Sequence, residues 1–381
     1  MNDCFSFLSS SSPPPAVAST EDSDTPHFSL LLPNLPDDIA LQCIARVPPL
    51  YHRDLSLVSK SWRSILQSPV FFSTRVRLNC THHFLYLNLW INGSSFKWFA
   101  FDQTPSNPKN HRDLSPIPPV PSQLIGSGSA FASLGPKIYV IGGSENGLGS
   151  APSSSVWILD FRFNRWEIGP KMPVGRKFAT AGALNGKIYV MGGLFENSWD
   201  GSANWALVFD PVLGSWDPVP SPFEIRNRWV RGTAMMKQKL IVLLDGGVFV
   251  FDPCDSSWDY IPTEINLVRN GRASVVDGIV YYCDYLGKIR GFDVEEGKWK
   301  NLEGVQKDLP KILNGVTLAN VGGKLRVLWQ EMDTGKQTEI FCAEVEVHKD
   351  SNGDLWGSIV WSQALLVIPE SSIVECLEVE F

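Results

Sequence analysis

Histidine is missing from the middle of this sequence. The six histidines lie at positions 27, 52, 82, 83, 111 and 348, so none falls between 112 and 347. A metal site built on imidazole therefore has no ligands in that stretch. Cysteine is also sparse: seven residues are scattered at 4, 43, 80, 254, 283, 342 and 376, without a C-x-x-C pair. This pattern favours reduced thiols in the cytoplasm or nucleus over a disulfide framework.

An excess of positive charge and long apolar runs are lacking too. The formal net charge is −7, which argues against a general binder of nucleic acid or of membrane surfaces, since either would need clustered positive charge. No apolar run reaches the roughly 18 residues that a membrane-spanning helix needs. The sequence therefore predicts a partner that is neither nucleic acid nor membrane.

Catalytic motifs are absent as well. Gly126-Ser-Gly128 lacks the third glycine of a dinucleotide site, and no serine lies in a G-x-S-x-G elbow. Asp350–Asp354 resembles the start of a calcium loop, but Leu355 stands where that loop needs glycine. We therefore predict a protein that is not an enzyme and that needs neither a metal nor a cofactor.

What the sequence does contain is a repeat. Lys137-Ile-Tyr-Val-Ile-Gly-Gly143 recurs as Lys187-Ile-Tyr-Val-Met-Gly-Gly193, and an Asp with a Trp six residues later follows each copy. A period of roughly 40 to 50 residues indicates a solenoid or a propeller. Glycine suits a strand end that needs positive φ, and Trp offers a large apolar face to the neighbouring repeat. The predicted structural residues are Gly142, Gly143, Trp166, Gly192, Gly193, Trp216, Trp258 and Trp299.

The repeats predict a mainly β domain over residues 80–381. Each repeat should supply four antiparallel strands, called a to d from the axis outward, that form one blade of a propeller. We count about six blades, with seven as the alternative. The predicted strands of the second repeat are Ser129–Leu134, Lys137–Ile141, Ser155–Asp160 and Arg165–Ile168, and those of the third are Thr180–Leu184, Lys187–Met191, Ala206–Asp210 and Ser215–Val219. The fourth repeat should begin with Leu240–Leu244, and the sixth should end with Ser358–Trp361. The first repeat lacks the Trp, and Val374–Phe381 alternates apolar and polar residues, so this last segment is a candidate strand for closing the ring.

The N-terminal part of the chain has a different composition. Residues 1–28 are rich in Ser and Pro, with Glu21-Asp-Ser-Asp24, and are expected to be a disordered tail. Residues 30–75 predict three short helices, ending near Val47, over about 53–57 and over about 59–67, with Ser59 capping the third. The first helix has one apolar stripe at Ile39, Cys43 and Val47 and another at Leu41 and Ile44. One stripe should therefore dock on another protein, or else the module is a cap packed on the propeller.

Several segments resemble known families. The Leu35-Pro36 start, the run from Leu55 to Arg63 and the Ser68-Pro69 exit resemble an F-box, and the repeats resemble kelch repeats. The combination is similar to the F-box/kelch-repeat proteins of plants. The resemblance implies binding to the Skp adaptor and, through it, to the cullin of a ubiquitin ligase. Carried over to this sequence, the adaptor-binding residues are Leu35, Pro36, Ile39, Val58, Ser59, Trp62 and Arg63.

The same resemblance implies that the propeller captures a target protein, which the ligase then ubiquitinates for proteasomal degradation. The alternative is a non-catalytic scaffold that binds the adaptor without promoting ubiquitination.

A candidate target surface follows from strand direction. Because adjacent strands are antiparallel, the b–c and d–a connections emerge on one face. The long b–c connections of the second and third repeats and the arginines of the d–a connections should meet there. We expect the arginines to bind carboxylates of the target, with aromatic side chains as apolar anchors; the alternative is that these arginines brace neighbouring loops. The candidate residues are Arg176, Arg226, Arg228, Arg269, Arg272, Phe195 and Trp199.

Overall fold

The structure is a computed structural model that describes residues 31–102, 115–116, 127–144, 150–161, 165–194, 204–226, 228–244, 246–263, 272–284, 286–333 and 337–380. The predicted N-terminal tail lies outside these residues. Across the described ranges, no helix has the length and apolar character that crossing a membrane requires.

A helical module occupies the N-terminal end of the described chain. Its elements are helix α1 (Asp37–Ala45), a 3₁₀ turn (Pro49–Tyr51), α2 (His52–Val58), α3 (Lys60–Leu66) and α4 (Pro69–Arg77). Asp37 and Asp38 lie in the first turn of α1, where acidic side chains complement the helix dipole. The predicted cap is confirmed, because the Ser59 hydroxyl accepts a hydrogen bond from the Trp62 amide.

The prediction of three helices in this module was too low, because α4 follows the third. Ser68 and Pro69, which the sequence analysis placed at the exit of the module, begin this helix. The Ser68 hydroxyl accepts a hydrogen bond from the Phe71 amide, and Pro69 is the first helical residue. A serine cap followed by proline at the first position is a strong start signal, so the chain continues into another helix.

The module has a small core of its own. Ile44, Ala45, Leu66 and Phe71 are buried together. Arg75 of α4 is fully buried, and its guanidinium donates to the Ala45 carbonyl at 2.6 Å. It also donates to the carbonyls of Val47 at 2.9 Å and Cys80 at 2.5 Å. Arg75 thus ties the end of α1 to the segment that leads into the first strand.

The rest of the described chain is built from strands. They are β1 (His83–Ile91), β2 (Ser95–Asp102), β3 (Ser115–Pro116), β4 (Ala130–Leu134), β5 (Lys137–Ile141), β6 (Val156–Asp160), β7 (Arg165–Gly169), β8 (Thr180–Leu184), β9 (Lys187–Met191), β10 (Ala206–Asp210), β11 (Ser215–Val219) and β12 (Val230–Met236). After a short helix α5 (Phe223–Arg226) that precedes β12, the series continues with β13 (Lys239–Leu244), β14 (Gly247–Asp252), β15 (Ser257–Pro262), β16 (Ser274–Val276), β17 (Ile279–Cys283), β18 (Ile289–Asp293), β19 (Lys298–Glu303), β20 (Thr317–Val321), β21 (Lys324–Met332), β22 (Gln337–Lys349), β23 (Leu355–Pro369) and β24 (Ser371–Glu380).

These strands form a propeller-like arrangement of sheets, in which the described neighbours are antiparallel except for one parallel pair, β19 with β23. The sheet orders are β24-β1-β2-β3, β4-β5-β6-β7, β11-β10-β9-β8, β12-β13-β14-β15 and an eight-stranded sheet β16-β17-β18-β19-β23-β22-β21-β20. The eight-stranded sheet consists of two groups of four strands, β16 to β19 and β20 to β23. Counting each four-stranded sheet as one further group, the first strand of each group contacts the first strand of the next: β24 with β4, β4 with β8, β8 with β12, β12 with β16, β16 with β20, and β20 with β24. The contacts return to their starting point, so the first strands surround a common centre.

The C-terminal strand joins the first sheet. Along its length β24 pairs antiparallel with β1, from His83 opposite Glu380 to Ile91 opposite Ser371. Leu377 and Val379 are buried in this contact. The prediction that the C-terminal segment closes the ring is confirmed for the described residues.

Two features of the later repeats differ from the predicted strands. The fourth repeat begins with β12, which the sequence analysis omitted because Val230–Met236 lacks apolar alternation and contains Gly232. In the sixth repeat β23 runs from Leu355 to Pro369, far beyond the predicted 358–361. Its first two residues pair in parallel with β19, which merges two groups of strands into the eight-stranded sheet.

Candidate functional site

The glycine pairs that end β5 and β9 have backbone conformations that suit glycine. Gly142 has φ +68° and Gly193 has φ +71°, a conformation that residues with a side chain rarely adopt. A Cβ added to Gly142 would lie 2.4 Å from the Arg176 carbonyl oxygen. These glycines therefore let the connections on this face pack closely together.

The repeated tryptophans join neighbouring groups of strands. Trp216 on β11 donates through Nε1 to the Pro170 carbonyl at 3.0 Å, and Trp258 on β15 donates to the Pro220 carbonyl at 2.7 Å. Each acceptor follows the outer strand of the preceding repeat. Trp166 lies against the Trp98 ring with the centroids 6.2 Å apart, and Trp299 packs in the core cluster between the fourth and fifth repeats. These side chains therefore belong to the framework.

Arg176 was predicted as a target-binding residue, and the structure corrects this. Its side chain is fully buried, and its guanidinium donates to the carbonyls of Gly192 at 2.6 Å and Trp205 at 2.8 Å, as well as to that of Asn204. Burial lowers the pKa of Arg176 to about 10. The side chain braces the connection between β9 and β10, so it cannot reach a bound protein.

The remaining predicted arginines occupy different environments. Arg226 is half-buried, and its Nη2 donates to the Ser221 carbonyl at 2.7 Å. Arg228 lies over the Tyr260 ring, 5.5 Å from its centroid. Arg272 forms an ion pair with Glu375 of β24 at 3.6 Å, so its charge is matched within the chain. Arg269, Phe195 and Trp199 lie outside the described residues.

Two of these arginines border a cleft between the third and fourth repeats. Arg226 and Arg228 line it together with Phe178, Leu194 and Trp229, and the Gly192–Gly193 backbone forms part of its wall. Trp229 is 50% exposed and Phe178 is 37% exposed, so the cleft combines aromatic surface with positive charge.

The backbone of this cleft is strained at one point. Phe178 has φ +59°, a left-handed conformation that is unfavourable for a bulky side chain. Its amide donates to the Gly128 carbonyl at 2.6 Å, which holds the conformation. Such strain is concentrated at functional sites. Phe178 was missed by the sequence analysis, because a positive φ at a phenylalanine has no signal in the sequence.

The helical module carries a second candidate surface. The stripe of Leu41 and Ile44 faces the core of the module, whereas Ile39 of the other stripe is 41% exposed. On α2, Leu57 is 70% exposed and Val58 is 61% exposed. Pro36 is exposed and Leu35 is half-buried. The chain therefore leaves these apolar side chains in solvent, as a docking surface requires.

The other predicted adaptor residues make hydrogen bonds within the module. Ser59 caps α3, and Trp62 donates through Nε1 to the Leu31 carbonyl at 2.7 Å. Arg63 donates to the Ser56 carbonyl at 3.1 Å, which links α3 to α2. The sequence analysis missed Leu57, whose exposure depends on the phase of a seven-residue helix.

The two candidate surfaces lie at opposite ends of the strands, and therefore on opposite faces of the ring. β1 is the second strand of its sheet, as β9 is of its own. β9 ends at the cleft beside Gly192, whereas the helical module precedes the start of β1 at His83. The second strands of a propeller-like ring all run in the same direction. The helical module therefore lies on the face where these strands begin, and the cleft lies on the face where they end.

Among the residues that the structure describes, no three His, Cys, Asp or Glu side chains are grouped to hold a metal ion. The described cysteines are free thiols.

Comparison with known proteins gives concordant results. Residues 32–74 match the F-box domain, and residues 98–366 match the FKB95, Kelch-repeats domain. The chain is 32% identical to the F-box/kelch-repeat protein At4g39590 of Arabidopsis thaliana over 356 residues, covering 89% of this chain and 87% of that protein.

It is also 32% identical to the F-box/kelch-repeat protein At4g39550 of the same plant over 376 residues, covering 92% of this chain and 94% of that protein. A solved structure described as "Structure of YjhT" shares the fold, with a TM-score of 0.53 at 13% identity, and covers 72% of this chain and 94% of its own. The chain therefore belongs to the F-box/kelch-repeat family.

Proposed function

We propose that this chain is the substrate-recognition subunit of a Skp–cullin–F-box ubiquitin ligase. The F-box binds the Skp adaptor, and the propeller holds a target protein for ubiquitination and proteasomal degradation. The chain forms and breaks no bonds itself. It acts by holding the target near the ubiquitin-charged enzyme, which raises the effective concentration of the reacting groups.

The observation that carries the proposal is the exposure of apolar side chains on a folded module. Ile44, Ala45, Leu66 and Phe71 give the F-box a core of its own, yet Ile39, Leu57 and Val58 remain outside it. Apolar side chains of this kind fit a hydrophobic surface on a helical partner. Because the F-box and the cleft lie on opposite faces of the ring, both surfaces are accessible at the same time.

The adaptor contact is tested by replacing Leu35 and Pro36 with alanine and measuring co-purification with the Skp adaptor. We expect binding to fall at least about tenfold, because buried apolar anchors dominate such interfaces. Val212→Ala is the matched control, since Val212 is 92% exposed on the turn between β10 and β11. Unchanged adaptor binding by the double variant would refute the proposed adaptor contact.

We place target capture at the cleft between the third and fourth repeats. Arg226 and Arg228 would bind carboxylates, and Phe178 and Trp229 would supply apolar contact. Charge reversal at Arg226 and Arg228 is expected to weaken labelling of target proteins in a proximity-labelling experiment and to leave adaptor binding intact. Labelling that is unchanged, or adaptor binding that is lost at the same time, would contradict this placement.

A scaffold that binds the adaptor without promoting ubiquitination is the second candidate function. Both candidates predict adaptor binding, so ubiquitin conjugation on captured proteins separates them. The receptor requires conjugation that depends on residues 30–70, whereas the scaffold predicts none.

We further propose that the propeller has six blades and that the protein works in the cytoplasm or nucleus. The six-blade count is supported by the cycle of first strands β24, β4, β8, β12, β16 and β20. The location is supported by the free thiols of the described cysteines, which fit a reducing compartment.

A further inference from the structure

The link between the F-box and the propeller is short. Helix α4 ends at Arg77 and β1 begins at His83, so five residues, 78–82, join the two. Flexible linkers between domains are commonly exposed and rich in glycine or proline, whereas this link contains neither residue. The length and composition of the link therefore leave the F-box little freedom to swing.

The end of α4 fixes the first residues of the link. Asn79 has φ +51°, and its amide donates to the Val76 carbonyl at 3.0 Å. The Cys80 amide donates to the Arg75 carbonyl, also at 3.0 Å. These two bonds around one left-handed residue form the Schellman motif, in which asparagine can take the place of glycine. The direction in which the chain leaves α4 is therefore set by the hydrogen bonds of the helix end.

The Arg75 side chain binds the same segment a second time. Its Nη2 donates to the Cys80 carbonyl at 2.5 Å, while its Nη1 donates to the carbonyls of Ala45 at 2.6 Å and Val47 at 2.9 Å. The guanidinium is fully buried and lies 5.9 Å from the centroid of the Phe71 ring. A planar guanidinium can bridge acceptors on different sides because its nitrogens point in fixed directions. Both peptide groups of Cys80 are thus bound to one residue of the F-box core.

The propeller end of the link is held as well. His83 is the first residue of β1, and its Nδ1 forms a hydrogen bond with Oε1 of Glu378 on β24 at 2.7 Å. Thr81 and His82 alone separate His83 from Cys80, and both are half-buried. Each residue adds two soft backbone dihedrals, so few degrees of freedom remain between the two held ends.

We propose that Arg75 is a positioning residue, which fixes the orientation of the F-box relative to the propeller through its contacts with Cys80. The inference rests on the proposed receptor function and deepens it. A fixed orientation holds the captured target at a constant offset from the ubiquitin-charged enzyme, so that a few lysines of the target see a high effective concentration of the reacting group. An F-box that swings would spread this concentration over a larger volume.

The orientation is tested by double electron–electron resonance on the full chain, with nitroxides on Cys43 of α1 and Cys254 of the turn between β14 and β15. Both cysteines are exposed, whereas those at 283, 342 and 376 are buried. Cys4 and Cys80 are replaced by serine in every sample, which leaves the backbone contacts of position 80 available. The chain that is otherwise wild type should give one narrow distribution of distances.

Arg75→Lys should widen this distribution at least about twofold, because a single ammonium cannot reach the Ala45 and Cys80 carbonyls together. Arg77→Lys is the matched control, since Arg77 is exposed in the last turn of the same helix, and its distribution should stay narrow. A second variant has two glycines inserted between Cys80 and Thr81. It keeps every Arg75 contact and should also widen the distribution, because glycine adds freely rotating backbone.

Adaptor binding, measured without labels, should be the same for all of these chains, because the F-box core remains folded. Four results would each overturn the proposal: a broad distribution without the test substitutions, equal widths for Arg75→Lys and Arg77→Lys, a narrow distribution after the glycine insertion, or loss of adaptor binding in Arg75→Lys alone.

Ubiquitin conjugation supplies a readout that a merely structural role would not move. In the reconstituted ligase, the glycine insertion should spread conjugation over more lysines of the captured proteins while their capture is unchanged. Conjugation at the same lysines in the same proportions would contradict the positioning role. Absence of conjugates from the wild type would instead refute the proposed receptor function, and the distance measurement would still test the role of Arg75.

Discussion

Removal of the Arg176 guanidinium should destabilise the propeller without touching its outer surface. The side chain is fully buried, and it donates to carbonyls of Gly192, Asn204 and Trp205. These carbonyls lie on both sides of the connection between β9 and β10. In Arg176→Met these carbonyls lose the guanidinium donors, although the Trp205 carbonyl still accepts the Gly192 amide, while the apolar stem of the side chain is largely kept.

The expected magnitude follows from the lost bonds. A hydrogen bond to a charged group contributes about 1.5–3 kcal/mol, and contributions made by one group are not additive. We therefore expect Arg176→Met to lower the free energy of unfolding by about 4 kcal/mol. Arg176→Lys keeps the charge but cannot reach the three acceptors with a single ammonium, so we expect a loss of about 2 kcal/mol.

The assay is urea unfolding followed by the fluorescence of the 14 tryptophans, with the midpoint and slope fitted together. Arg165→Met is the control, because that side chain is 66% exposed on β7 and should change stability by no more than about 0.5 kcal/mol. A cost below about 1 kcal/mol for Arg176→Met, or lost target binding at full stability, would refute the framework role.

Three further predictions concern the pH dependence of two histidines and a close backbone approach at a glycine. Burial lowers the pKa of His52 to about 4, so between pH 6.5 and pH 4 the unfolded F-box takes up a proton that the folded one does not. Stability of the F-box should fall by up to about 3 kcal/mol as the pH drops through that range, and His52→Phe should remove the dependence in a circular-dichroism titration. The hydrogen bond to Glu378 raises the pKa of His83. The stabilisation that protonated His83 gives to the β1–β24 contact is therefore present below pH 6.5 and is lost as the pH rises through the raised pKa. Gly142→Ala should cost more than Gly186→Ala in thermal unfolding, because both have positive φ but an added Cβ meets the Arg176 carbonyl at Gly142 alone; equal costs would contradict this.

The strands of the second and third repeats could be predicted almost to the residue. β8, β9, β10 and β11 begin and end where the sequence analysis placed them. Their signals are local: alternating apolar runs, glycine at the strand end, and Asp before a turn. Asp210 illustrates this, because its Oδ1 accepts the amides of Val212 and Leu213 within a few residues.

The errors arise where structure depends on distant parts of the chain. Arg176 looks like a surface residue in sequence, and its burial follows from the meeting of two connections that are separated along the chain. β12 has no alternating pattern and is fixed by pairing with β13. The length of β23 likewise depends on β22, and the helix start at Ser68 was mistaken for an exit.

The candidate surfaces were predicted only in part, because local patterns identify single residues but not the packing of distant connections. Ile39 and Val58 were identified from helical spacing and from the family resemblance, and both are exposed. The cleft needed coordinates, because Phe178 and Trp229 reach it from different connections. Sequence pattern therefore specified the elements, whereas the site required their packing.

Ubiquitin transfer in a reconstituted ligase tests the central claim most directly. The chain is assembled with the Skp adaptor, the cullin and ubiquitin-charged enzyme, and conjugates are measured on proteins captured by the propeller. The receptor account predicts conjugates with the full chain and none with a chain lacking residues 30–70, which should still capture the same proteins. Capture and adaptor binding without any conjugation by the full chain would contradict it.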